Sequence, residues 1–216
     1  MLNVFIVGGN RDYTGLFLDY GAKMVSCVED ADLVVFTGGE DVTPALYNAH
    51  KHPETFNSQY RDAKEGQIFL EACEAKIPMV GICRGGQFLN VCSGGEMYQD
   101  ISGHLGDHQI VDLRSGETIT VSSTHHQMMK PSDKAEILAT SVNILSNREW
   151  FEGEIFKRDS SSTGIEVVFY EETNCLCFQP HPEFRSPHYQ KMKEYFFSLI
   201  KEKLNVNFGA PRKYIY

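Results

Sequence analysis

Cys83 is the residue in this 216-residue chain whose setting best suits covalent chemistry; it lies in the run PMVGICRGGQFLNV, Pro78 to Val91. Pro78 to Ile82 reads as a short apolar strand, and the helix after it would carry Phe88, Leu89 and Val91 on its inner face. Gly81 and Gly85 flank the cysteine at two residues on either side, the spacing of a nucleophile elbow with a thiol in place of the hydroxyl. Glycine suits a turn so tight that side chains would strike neighbouring backbone. Such a turn lifts the sulfur clear of the sheet and sets it at a helix N-terminus, where free N–H groups and the helix dipole favour a thiolate. Free cysteine is also among the most buried residue types, so the same pattern by itself suits an inert packed turn.

A cysteine nucleophile needs a base, and the base works best when a third group orients it. Gln179-Pro180-His181-Pro182-Glu183 supplies both at the end of an apolar strand. In extended form, which residues before proline prefer, His181 and Glu183 fall on one side, two positions apart. The carboxylate could then fix the imidazole tautomer and stabilise the imidazolium. A surface turn would carry the same residues, but strand termini at Cys83 and at His181 would be neighbours in a parallel sheet. Acyl transfer also needs donors for a developing oxyanion. Gly39, in the Gly38-Gly39 pair after the strand DLVVF, offers one backbone N–H, and Arg84, opening the helix, offers a second. Gln87, four residues after Cys83, shares the helix face that looks toward the nucleophile.

His104, His108, His125 and His126 raise the question of a metal. Their spacing fits no zinc pattern, and adjacent histidines in a loop serve more often as hydrogen-bonding residues, so neither metal nor cofactor is expected. Cys175 and Cys177 face one side of a strand and read as packed residues.

The elements that must position these residues follow an α/β pattern. Asn3 to Val7, Lys23 to Val28 and Asp32 to Phe36 read as strands, with a brief helix over Tyr13 to Tyr20. Ser58 to Lys76 reads as a crossover helix with Ile68, Phe69, Ala72, Cys73 and Ala75 on its apolar side. Ile110 to Leu113, Thr118 to Ser122, Ile137 to Ala139, Ile144 to Leu145, Gly164 to Tyr170 and Cys175 to Gln179 are further short strands. Asn147 to Thr163 reads as a surface hairpin or mobile flap, and Pro187 to Leu204 as a closing helix burying Met192, Tyr195, Phe196, Leu199 and Ile200. The expectation is one domain over residues 1–216, a doubly wound, mostly parallel α/β sheet with helices on both faces and a small antiparallel elaboration. Ligands in such sheets gather at the carboxyl ends of the strands, where Gly8-Gly9, Gly38-Gly39 and Cys83 would lie.

Composition narrows the partners. A net charge of -9 with no offsetting Lys/Arg cluster opposes nucleic acid or an anionic membrane and favours a small molecule or a protein. Six cysteines without a CxxC pair, and the strand-like start MLNVFIVGGN in place of a signal peptide, predict a reducing cytoplasmic setting. No apolar run reaches transmembrane length. Homo-oligomerisation stays open.

Several segments together resemble the class I glutamine amidotransferase superfamily: GICRGGQ its nucleophile motif and FQPHPEF its His-x-Glu motif. TGGEDVTPALY, YRDAKEGQIFLEAC, GICRGGQFLNVCSGGEMYQDI and STHHQ are similar to its gamma-glutamyl-gamma-aminobutyrate hydrolase group. The resemblance implies a flavodoxin-like fold. It also implies Cys83 as the nucleophile of a gamma-glutamyl thioester, His181 as general acid/base, Glu183 as its partner, and Gly39 and Arg84 as oxyanion donors. Gln87 and the Thr124, His126 and Gln127 loop would hold the glutamyl amino acid. The chain departs from that group in a shorter stretch before Asp32, in Gly86 where a larger apolar residue is usual, and in Asn147 to Thr163. The resulting expectation is a cysteine hydrolase of gamma-glutamyl amides. Its rivals are a glutaminase passing ammonia to a separate synthetase and a non-catalytic binding module.

Overall fold

The computed structural model of the protein describes residues 1–160 and 162–209, so the KYIY tail lies outside the described residues. In chain order the first half runs β1 (Asn3–Val7), α1 (Arg11–Asp19), β2 (Lys23–Val25), β3 (Leu33–Phe36), α2 (Gln59–Ala75), β4 (Met79–Ile82) and α3 (Arg84–Cys92). Seven strands follow: β5 (Glu96–Tyr98), β6 (Asp100–Ser102), β7 (His108–Asp112), β8 (Thr118–Val121), β9 (Met128–Lys130), β10 (Glu136–Leu145) and β11 (Asn147–Glu152). The remainder is β12 (Ile155–Asp159), β13 (Ser162–Tyr170), β14 (Cys175–Phe178) and α4 (Gln190–Lys203).

The main sheet has the order β2-β1-β3-β4-β14-β13-β10-β7-β8. From β2 to β14 every neighbouring pair is parallel. From β14 to β8 every pair is antiparallel. The result is the doubly wound α/β architecture expected from the sequence, with the antiparallel strands continuing the same sheet. Alternation of side chains along each strand builds two cores. Leu33, Val35, Val80, Ile82, Leu176 and Phe178 pack under α1 and α4, while Val34, Phe36, Met79, Cys175 and Cys177 pack under α2 and α3. Cys175 and Cys177 are thus core residues, as their spacing suggested.

One difference from the sequence reading has a local cause. β10 is one strand rather than two, and its pairing with β13 carries register shifts between Ile137 and Ile144 that break the alternation a sequence reader relies on. Of the two forms expected for Asn147 to Thr163, the described residues take the hairpin. β11 and β12 form a hairpin whose inner strand pairs with β6, and Trp150 is buried within it. α2 begins at Ser58, whose hydroxyl accepts the Arg61 N–H, and ends at Lys76 in the left-handed region. Its last turn leaves Ala75 exposed, and Asp62 and Glu65 are buried on its inner side instead.

Candidate active site

β4 and β14 are adjacent and parallel, with Ile82 opposite Phe178, so the chain leaves both strands at one rim of the sheet. Cys83 follows β4 directly. Its backbone has φ 53° and ψ -115°, a conformation that costs a non-glycine residue about 1–3 kcal/mol. The surroundings hold it there: the Cys83 N–H donates to Phe178 O at 2.8 Å, and the Gln87 N–H donates back to Cys83 O at 3.0 Å. A side chain at Gly81 would overlap the Gly85 backbone, and one at Gly85 would overlap the Phe36 carbonyl. Gly86 also earns its place, since a Cβ there would lie 3.0 Å from Phe178 N and 3.1 Å from Gly81 O. The helix α3 is thereby seated close on β4 and β14, and Cys83 is left 7% exposed.

The chain beyond β14 brings His181 and Glu183 to the same rim, with His181 Nδ1 2.6 Å from Glu183 Oε1. The Ser122 hydroxyl accepts the His181 N–H at 3.1 Å, and the Phe184 ring stacks on the imidazole at 4.8 Å between centroids. Burial lowers the His181 pKa, but interactions with Cys83 and Glu183 outweigh it and raise the group to about 10. The shift favours the imidazolium form, and the ring's other nitrogen, Nε2, lies 2.8 Å from Thr124 Oγ1. Cys83 and His181 meet over Gly38. A Cβ built on Gly38 would lie 3.3 Å from His181 Cε1 and 3.5 Å from Cys83 Cβ.

Gly38 and Gly39 are held from two sides. The Gly38 N–H donates to the Tyr13 hydroxyl at 3.0 Å, and burial followed by the Glu183 charge pushes that phenol well above its ordinary pKa. Arg61 donates from Nη2 to Thr37 O at 3.0 Å and Gly38 O at 3.1 Å, and from Nη1 to Glu40 at 2.8 Å. Arg84 opens α3 with its backbone at the site and its side chain turned away. That guanidinium is 1% exposed and paired with Asp62 and Glu65 of α2.

A cavity of about 230 Å³ lies beside these groups, lined by Gly39, Asp41, Cys83, Gln87, His126 and His181 among others. Thr124 and Gln127 also border it. The polar groups proposed from sequence are partly committed to the protein. Gln87 Nε2 donates to Gln127 O at 3.2 Å and Gln179 Oε1 at 3.1 Å. Gln127 Nε2 donates to Gln99 O at 3.0 Å and Thr55 Oγ1 at 3.2 Å. His126 stands between Asp41 at 3.2 Å and Asp100 at 3.4 Å, and the bond to Asp41 leads in raising its pKa. Sequence reasoning did not find Tyr13, Asp41, Arg61, Asp62, Glu65 or Phe184. A signal existed for three of them, because Arg61, Asp62 and Glu65 stand at helical spacing in α2.

Sheet, elbow cysteine and His-x-Glu rim define the class of protein: a member of the class I glutamine amidotransferase superfamily. The Peptidase C26 family profile matches residues 17–183, and the chain belongs to that family. A glutamine amidotransferase-like protein of Lactococcus lactis subsp. cremoris, the YvdE homolog, is 40% identical over 116 residues, 53% of this chain and 60% of the relative. The carbamoyl phosphate synthase small chain of Campylobacter jejuni is 27% identical over 82% of this chain and 41% of its own length. The chain therefore spans less than two thirds of either relative. A glutamine amidotransferase structure from Thermotoga maritima shares the fold, with a TM-score of 0.59 and 15% identity over 95% of this chain and 86% of the other.

Proposed function

We propose that the chain is a cysteine-dependent hydrolase of gamma-glutamyl amide bonds, either glutamine's own or that of a gamma-glutamyl amine. The observation that carries this reading is the convergence of Cys83 and the His181–Glu183 pair on one small cavity over Gly38. At about 230 Å³ the cavity is smaller than the roughly 300–1,000 Å³ of drug-sized ligand sites, which suits a single amino-acid moiety. Asp41 offers the negative charge that the α-ammonium of such a moiety needs. Gln87 acts on it by holding the Gln127 backbone in place.

In the proposed reaction the Cys83 thiolate forms a C–S bond to the amide carbon. The oxyanion sits between the N–H groups of Gly39 and Arg84. His181 gives its Nε2 proton to the departing nitrogen as the C–N bond breaks, while Glu183 holds the ring and stabilises its charged form. Neutral His181 then takes a proton from water, hydroxide attacks the thioester, and glutamate leaves with the thiolate and imidazolium restored. Treatment with an electrophilic glutamine analogue is expected to label Cys83 once, with no label in Cys83→Ala. Labelling elsewhere, or none, removes the proposal.

The likeness to a carbamoyl phosphate synthase small chain favours a second reading, in which the same chemistry yields ammonia for a separate synthetase. Steady glutamine hydrolysis by the isolated chain opposes strict dependence on a partner. Turnover that begins only on adding one supports it.

A further inference from the structure

We propose that His104, His108 and Glu166, with His125 as fourth donor, form a binding site for a divalent transition ion of the zinc type, one layer behind the Thr124 to Gln127 loop. The inference does not rest on the hydrolase reading. Glu166 comes from β13, in the antiparallel half of the sheet, and is fully buried. Its Oε1 lies 2.6 Å from His104 Nε2 and 3.2 Å from His108 Nε2. One ligand atom from each of the three residues falls within 4.8 Å of the others. Four ligands at about 2.0–2.2 Å from a tetrahedral zinc stand roughly 3.4 Å apart, so the widest pair must close by about 1.4 Å, shared between two side chains. The shorter pairs are already inside that spacing.

Two further observations point to a ligand. Among the described residues, Glu166 Oε2 and His125 Nε2 are buried and have no hydrogen-bond partner. Such atoms are costly unless something meets them. The His125 ring lies 4.9 Å from that of His104, and the rings of His104 and His108 are 4.2 Å apart. The other ring nitrogens of His108 and His125 are arranged as a metal site requires. His125 Nδ1 is 2.8 Å from Gln127 O and His108 Nδ1 is 3.4 Å from Gly106 O. A backbone carbonyl that receives Nδ1–H fixes the tautomer whose Nε2 lone pair is free for a cation. Three imidazoles and a carboxylate are donors for zinc, cobalt or nickel rather than for magnesium or calcium. The histidine spacing concealed this because the acid arrives from a distant strand.

An ion here would anchor His125, and with it Thr124, whose hydroxyl meets His181. The role assigned is thus structural support for the loop beside the candidate active site.

The test uses the full chain carrying Cys83→Ala, so that the active-site sulfur cannot bind the ion. After dialysis against a chelator, titration with zinc or cobalt is expected to show one equivalent bound, a raised Tm, and for cobalt the intense visible bands of a four-coordinate site. His108→Asn and Glu166→Gln should each weaken binding at least about 10–100-fold and remove those bands. Absence of stoichiometric binding overturns the proposal. So does binding whose affinity and spectrum are the same in the His108→Asn protein, because the ion is then held elsewhere.

Discussion

Glu183→Gln keeps the shape of the His181 partner and removes its charge. The bond it alters is 2.6 Å long, between buried groups, and made to an imidazole whose pKa is raised to about 10. Hydrogen bonds to charged groups contribute about 1.5–3 kcal/mol, and a neutral amide retains little of that. At 1.36 kcal/mol per tenfold in rate, kcat should fall by about 10–150-fold. KM should change little, because Glu183 does not line the cavity. The pH dependence supplies a second readout. His181 is raised to about 10 against the downward pull of burial, through Cys83 and Glu183. A proton donor that titrates there loses activity as pH rises through about 10, and removing the carboxylate charge moves this alkaline limb to lower pH. Stability follows the same sign. A histidine whose folded-state pKa exceeds its unfolded value of about 6.5 stabilises fully below that pH and loses the contribution as pH climbs toward 10. The variant should therefore be weakened more at pH 6 than at pH 10. Rates of Cys83 labelling and of glutamine or gamma-glutamyl amine hydrolysis, followed across pH together with Tm, check all three. A kcat within about twofold of the parent and an unmoved alkaline limb would refute the role given to Glu183.

Thr124→Val deprives His181 Nε2 of its hydroxyl partner at 2.8 Å; a net hydrogen bond of about 1 kcal/mol predicts roughly a fivefold fall in kcat. Thr124→Ser should restore the rate, and a valine variant of full activity would show the contact to be idle. Gly85→Ala drives a methyl into the Phe36 carbonyl, and overpacking against backbone at the upper end of about 1–3 kcal/mol predicts a Tm lower by about 6–12 °C. Arg84→Met leaves the buried Asp62 carboxylate without its cation and Glu65 with Arg61 alone, at 2.7 Å, which predicts a loss of about 3–5 kcal/mol and a Tm lower by about 6–20 °C. Adding Asp62→Asn and Glu65→Gln should recover most of that loss, and a double-rescue protein no more stable than Arg84→Met would place the damage elsewhere.

The parallel half of the fold was legible because its information is local. Each of β1, β3, β4 and β14 is a short apolar run, and the helices between them carry apolar positions at three- and four-residue spacing. Every residue expected on the buried sides of α3 and α4 is buried, but α3 is also buried from Arg84 to Gln87 and at Asn90, and α4 buries Phe197 as well. The antiparallel half was less legible. β5, β6 and β9 are three residues long and derive their pairing from distant partners, Glu96 with Lys130 and Asp100 with Glu149 among them. Bulges in β10 erased its period.

A similar division explains what could be read of the site. Cys83, His181 and Glu183 stand out in sequence because the turns that carry them need glycine or proline at fixed offsets. The groups that hold the backbone of the proposed oxyanion donors carry no such mark, since their partners are brought together only by tertiary packing. They nevertheless share one origin. Arg61 grips the Thr37 and Gly38 carbonyls, while Asp62 and Glu65, from the same stretch of α2, hold the Arg84 guanidinium. The two backbone N–H groups proposed as oxyanion donors, at Gly39 and Arg84, are thus set in relation to each other by a single helix. What the sequence presents as a crossover connection works as the clamp between both walls of the candidate site. For that reason its acidic residues, not its apolar ones, are the buried feature that matters most to the chemistry.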